Sequence, residues 1–206
     1  MIRRHVGAAA AVCSAAFHGN PAKAHAFQAG QQGYELFVQG VAQPWLALPT
    51  ALVLVGTGLL LSIWREEGML AAWPVVAICA VLGFGLGPLA PPVSALGLAG
   101  IALAIGGMGI IAPRLPSLVP LFAAGASMLL SARYLMEDHP LGDLPLPFLF
   151  GMAGGALSAI ALPAGVVQAS RMLTEADWLM IFWRALASWV AAIAVLMGAF
   201  VLRGVI

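Results

Sequence analysis

A chain of 206 residues that is 62% hydrophobic and only 8% charged cannot cover a soluble surface, since soluble domains carry roughly a quarter of their residues charged. Nine basic against eight acidic side chains leave a net charge of +1 with no basic run, which excludes a nucleic-acid footprint. The remaining class is a small polytopic membrane protein whose main partner is the lipid bilayer: an all-α transmembrane bundle of about six spans following a cleavable signal peptide.

In chain order, Arg3 and Arg4 form a basic start and Val6 to Phe17 a short apolar run. Gly19, Asn20 and Pro21 then break helix, and Ala24-His25-Ala26 is a small-x-small cleavage pattern. This order is that of a secretory signal peptide over residues 1–26, with an apolar run too short to span a bilayer. Cleavage after Ala26 leaves a chain that starts at Phe27 outside the cytoplasm, with six arginines, no lysine, eight acids and one histidine, His139. Of the two cysteines, Cys13 goes with the signal, and Cys79 remains alone in an apolar helix as a small hydrophobe.

Residues 27–44 are too polar to span. Phe27, Tyr34, Phe37, Val38 and Val41 recur at helical spacing among glutamines, the pattern of an amphipathic helix on the periplasmic membrane surface. Six spans fill residues 45–206. The first, Trp45 to Trp64, is about 28 Å long and has a tryptophan for each interface. Ala71 to Leu89 follows, stopped by Pro91-Pro92, then Val93 to Ala112, Leu118 to Met136, Pro147 to Ala169 and Trp178 to Leu202. Both mature termini then lie in the periplasm of a bacterial inner membrane. Arg65, Arg114 and Arg171 fall on the inner side, with Arg184 near it, as the positive-inside rule expects.

Small-xxx-small pairs at Gly83/Gly87, Gly151/Gly155 and Gly154/Ser158 suit close helix packing within the chain. Five glycines between Gly97 and Gly109 make the third span thin, which fits a central position. Pro163 should free the Ala159 carbonyl and kink the fifth span; such kinks occur both along solute paths and in plain packing helices.

No enzyme constellation is present: the chain has no HExxH, no phosphate-binding loop, no nucleophile elbow and no cysteine cluster. The densest polar stretch is Glu137-Asp138-His139-Pro140-Leu141-Gly142-Asp143, on the expected outer face with Glu35. Carboxylates with an imidazole are donors for a divalent transition metal such as Ni²⁺ or Co²⁺, and the same residues fit a solvated loop. Arg133 and Glu137 stand four apart and can pair on one helix face. Within the spans, Thr57, Ser62, Ser127, Ser131, Ser158 and Ser188 can bond backbone carbonyls or a passing solute. Arg184 is the one intramembrane charge, within reach of the inner headgroups and one turn from Ser188.

Several marks in order resemble the HupE/UreJ family of small membrane proteins, in its histidine-poor branch, over nearly the whole mature chain. They are Ala24-His25-Ala26-Phe27, Gly33-Tyr34-x-x-Phe37-x-x-Gly40, Trp64-Arg65-x-Glu67-Gly68 with Trp73-Pro74, and Trp183 to Ala194. The resemblance implies a nickel or cobalt permease, with the metal as transported solute and no resident cofactor. The alternative is a non-transporting subunit or assembly factor of a larger membrane or metalloenzyme complex, docked through its glycine-rich faces on a membrane-protein partner or a second copy. The family's better-known branch carries His-Pro-x-x-Gly-x-Asp-His early in the chain. No histidine occurs between Phe27 and Trp64 here, so no metal ligand carries over.

Overall fold

Apolar residues run nearly all the way round most helices of this chain, so the helices sort by what they touch. The computed structural model describes residues 33–86, 91–137, 144–174 and 177–204. Among these residues the fold is all-α. Seven helices run α1 Gly33–Leu46, α2 Leu48–Trp64, α3 Gly68–Leu86, α4 Ala95–Ile111, α5 Leu118–Leu135, α6 Leu146–Leu173 and α7 Asp177–Leu202, with one 3-10 turn at Ala112–Arg114. Helices α3 to α7 are each long and apolar enough to cross a membrane. Taken as one broken span, α1 and α2 make a sixth. The signal peptide expected over 1–26 lies outside the described residues.

Local chemistry sets the helix ends. Pro49 and Pro147 sit in the first turns of α2 and α6, where a missing N–H costs nothing. Ser94 caps α4 by accepting a hydrogen bond from Gly97 N at 3.1 Å. Helix α2 stops at Arg65, which is extended. The chain then turns so tightly that Gly68 lies against Leu61, where any Cβ would overlap the Leu61 carbonyl.

Helix α2 is the axle of the bundle. Thirteen of its seventeen residues are buried, and it packs on all six other helices. This corrects the expectation that the glycine-rich α4 is central. Instead α4 lies between α2 and α7, and its glycines divide by face. A Cβ at Gly106 would come within 2.7 Å of Ala191 N, and one at Gly109 within 2.6 Å of the Ala187 Cβ, so these two let α7 approach closely. Gly100 and Gly107 have nothing within 4 Å.

The connections alternate between two ends, as an up-and-down bundle requires. At one end Trp64 Nε1 donates to Leu115 O at 3.2 Å, and Trp183 Nε1 donates to Ser170 Oγ at 3.0 Å. Arg65 and Arg114 occupy the loops there, and the field of Glu66 reaches Arg171. At the other end Arg133 Nη2 donates to Pro91 O, and Gly33 lies beside Pro147.

The segment read as a surface helix differs most from expectation. Its described part continues to Leu46 and lies along the first half of α6, the most extensive helix pairing among the described residues. Gly40, Gly151 and Gly155 make this seam. A Cβ at Gly40 would come within 3.0 Å of Gly151 Cα, and one at Gly155 within 3.0 Å of Val41 Cα. The Gly151/Gly155 pair therefore packs within the chain, as expected. Gly154 faces open space, and Gly87 lies outside the described residues.

Candidate functional site at a broken helix

Two prolines bracket the break. Pro44 falls in the last turn of α1 and Pro49 in the first turn of α2; between them Ala47 is extended, at φ −77° and ψ 95°. The two helices meet at 79°. The expected first span, Trp45 to Trp64, is thus interrupted: Trp45 belongs to α1, α2 begins at Leu48, and only the two helices together make up a span.

The depth of this break follows from the seam. Gly33 lies against Pro147, Gly40 against Phe148 and Gly151, and Trp45 Nε1 donates to Ser158 Oγ at 3.3 Å. Ser158 is twelve residues into the 28-residue α6, or about 18 Å along its axis. So α1 descends to about the middle of α6 and ends there at the side of the bundle, with Leu46 and Leu48 exposed and Pro44 and Thr50 buried.

A helix that ends there leaves carbonyl oxygens to be satisfied and carries the negative end of its dipole with it. Thr50 answers part of that need. Its side chain is fully buried, and Oγ1 donates to Ala47 O at 2.7 Å and to Pro44 O at 3.0 Å. Ala47 O also accepts from Ala51 N at 3.0 Å, so one hydroxyl proton and one amide serve two carbonyls with two lone pairs each, and oxygen acceptor capacity is left over. Such junctions are where broken helices of transporters coordinate cations. Sequence reasoning missed Thr50 because the run from Trp45 to Trp64 is apolar throughout. The spacing Pro44-x-x-x-x-Pro49 was the available signal, because Pro49 lacks the N–H that a continuous helix would direct to Trp45 O and its ring would clash with that carbonyl, while Pro suits the first turn of a new helix.

The polar residues singled out from sequence separate into three groups. Glu35 is exposed in the first turn of α1, and Glu137 is exposed in the turn that follows α5. Asp138, His139 and Asp143, the rest of the expected loop site, lie outside the described residues. Among the described residues no group of three or more His, Cys, Asp and Glu side chains is placed to hold a metal. Arg133 is spent on the Pro91 carbonyl and forms no ion pair with Glu137.

Most of the intramembrane hydroxyls serve their own helices. Thr57 donates to Val53 O at 2.7 Å, Ser127 to Ala123 O at 2.6 Å, Ser158 to Gly155 O at 2.8 Å and Ser188 to Ala185 O at 2.6 Å. Ser62 reaches both Gly58 O and, across the interface, Ala164 O. Ser131 is the exception, fully buried with an unpartnered Oγ. Arg184 is half-buried on α7 with Nε unpartnered, and Gln168 Oε1 on α6 is unpartnered as well.

The chain matches no protein-family model, and neither a curated protein nor a solved structure is similar to it.

Proposed function

We propose that the chain is a secondary permease for a divalent metal cation, nickel or cobalt, in a bacterial inner membrane. In this reading it works in the manner of HupE/UreJ proteins and keeps both mature termini in the periplasm. The observation that carries the reading is the 79° break at Ala47, where α1 ends about midway along α6 beside the buried Thr50. The negative end of α1 and the oxygens of Pro44, Ala47 and Thr50 favour a cation over an anion at that depth. Neutral oxygens hold a divalent ion weakly, which suits passage rather than storage. Glu35, Glu137, Asp138, His139 and Asp143 are the entrance residues of this scheme, concentrating cations outside and offering one imidazole to a transition metal.

The test is accumulation of nickel and cobalt in cells that express the chain. Wild type should accumulate one of the two metals above an empty-vector control. At matched protein abundance, Thr50→Val should lower uptake several-fold and His139→Ala should weaken it at low metal concentration. Absence of uptake of any first-row metal by wild type would end the permease reading.

A second reading is a non-transporting subunit or assembly factor of a larger complex. It is favoured by the surface groove of about 470 Å³ between α4 and α7, where Ala99, Gly100, Ala194, Gly198 and Ala199 lie among Leu96, Leu103, Val195 and Leu202. Small residues there would let a partner helix approach closely. That reading calls for stoichiometric co-purification with a membrane partner, lost in Gly198→Leu, without metal uptake.

A further inference from the structure

Helices α4 and α5 are consecutive and antiparallel, yet they touch little along their length. Between them lies a groove of about 800 Å³. Its walls are Ile101 and Met108 on α4 and Leu118, Phe122 and Ala126 on α5, with Val75 of α3 also lining it; all are apolar. Leu118 and Phe122 are 80% and 79% exposed, so the groove opens on the surface that faces lipid.

Two arginines occupy the loops at the end of the bundle where α4 passes into α5. The Ala112–Arg114 turn and Leu115 to Ser117 join the two walls next to Met108 and Leu118. Arg114 is exposed there and has no hydrogen bond or ion pair among the described residues. From the neighbouring loop Arg65 Nη2 reaches Ser117 Oγ at 3.4 Å, while its guanidinium lies 4.5 Å over the Trp64 ring. Trp64 in turn fixes the connection through Leu115 O. Both guanidiniums keep free donors, Arg65 beside Ser117 and Arg114 in the turn, next to the chain segment that leads into Leu118. Of the acids beside them in the chain, Glu66 acts on Arg171 of α6, and Glu67 is exposed in the turn before α3.

We infer that this groove binds an anionic glycerophospholipid, with an acyl chain between α4 and α5 and the phosphate at Arg114 and Arg65. Guanidiniums pair with phosphate oxygens through two donors at once, and basic pockets between helices at the cytoplasmic face select acidic headgroups. A partner helix fits less well. Helices associate in lipid over small residues, and on α4 the open glycines Gly100 and Gly107 lie away from this groove. Long, flexible walls such as Leu118, Phe122 and Met108 fit a methylene chain instead.

The experiment uses the full chain, purified and reconstituted in nanodiscs of equal phosphatidylcholine and phosphatidylglycerol. Lipid retained after detergent extraction is counted by mass spectrometry. Wild type should retain phosphatidylglycerol preferentially, and the preference should fall about fivefold for each arginine neutralised in Arg65→Gln and Arg114→Gln, from roughly 1 kcal/mol per basic residue near a membrane surface. Arg114→Lys, which keeps the charge, should retain most of the preference, and a variant that fails to fold would show itself by gel filtration. Ala126→Phe should expel lipid of both kinds while leaving the arginines in place. An unchanged phosphatidylglycerol preference in the double Gln variant would overturn the inference. So would competition by glycerophosphoglycerol alone, which marks a phosphate site without a lipid, or a dimer that protects Phe122 from modification.

Discussion

Gly106 and Gly107 are neighbours in sequence and opposites in structure. A Cβ on Gly106 would press on the α7 backbone, and one on Gly107 would meet nothing. The same contrast separates the α1–α6 seam from the outward face of α4. At the seam Gly40, Gly151 and Gly155 bring two backbones into contact, whereas at Gly100 the helix is bare. Glycine content therefore marks a thin helix without saying what thinness is for. In this bundle it serves close approach along one set of faces and leaves the other set open to lipid or a partner.

Substitutions can break that contrast. The largest effect is expected from Gly151→Leu, which forces α1 away from α6. It should cost about 3 kcal/mol or more, the upper end of overpacking, and appear as loss of a monodisperse peak in gel filtration. Gly106→Ala should cost about 2 kcal/mol through the α7 contact, read as a lowered unfolding midpoint in detergent. Thr50→Val keeps the volume of the junction but removes the hydroxyl that donates to the Pro44 and Ala47 carbonyls, leaving Ala47 O with the Ala51 N–H alone. A loss of about 1.5 kcal/mol in the same assay is expected, together with the uptake defect described above. Gly107→Ala should go the other way, gaining about 0.5–1 kcal/mol from helix propensity alone. A loss at Gly107 would mean that a partner covers that face. The smallest change belongs to Ser131→Ala, which removes a buried hydroxyl with no partner and should leave the midpoint unchanged or slightly raised.

Much of the architecture was readable from residues alone. Apolar runs between proline and charge punctuation placed α3 to α7 within a few residues of their observed limits. The break at Ala47 was not readable from hydropathy, because Leu46, Ala47 and Leu48 are as apolar as a continuous span would be. Backbone chemistry at Pro44 and Pro49 decides it instead. The central helix was missed for a related reason: α2 has few glycines, and its place on the axis comes from side chains that fill space on every side. Arg133 and Glu137 have the right spacing to pair, but a carbonyl across the bundle competes for the guanidinium, and spacing along one helix cannot reveal that. For the candidate site the sequence pointed to the loop around His139. The junction at Thr50 emerged only once the direction of α1 was known.

One consequence follows from the lengths of the helices. The axle α2 has 17 residues and spans about 26 Å, less than a hydrocarbon core of about 30 Å, while α6 has 28 residues and reaches about 42 Å. A short helix in contact with lipid would thin the bilayer around it, and a long one must tilt. Because α2 is enclosed by other helices, its shortness is invisible to the membrane, and only the long outer helices sense bilayer thickness. A thicker bilayer would stand α6 more upright. Since α1 is clasped to α6 through glycines and joined to α2 at Ala47, that rotation would act directly on the angle of the break.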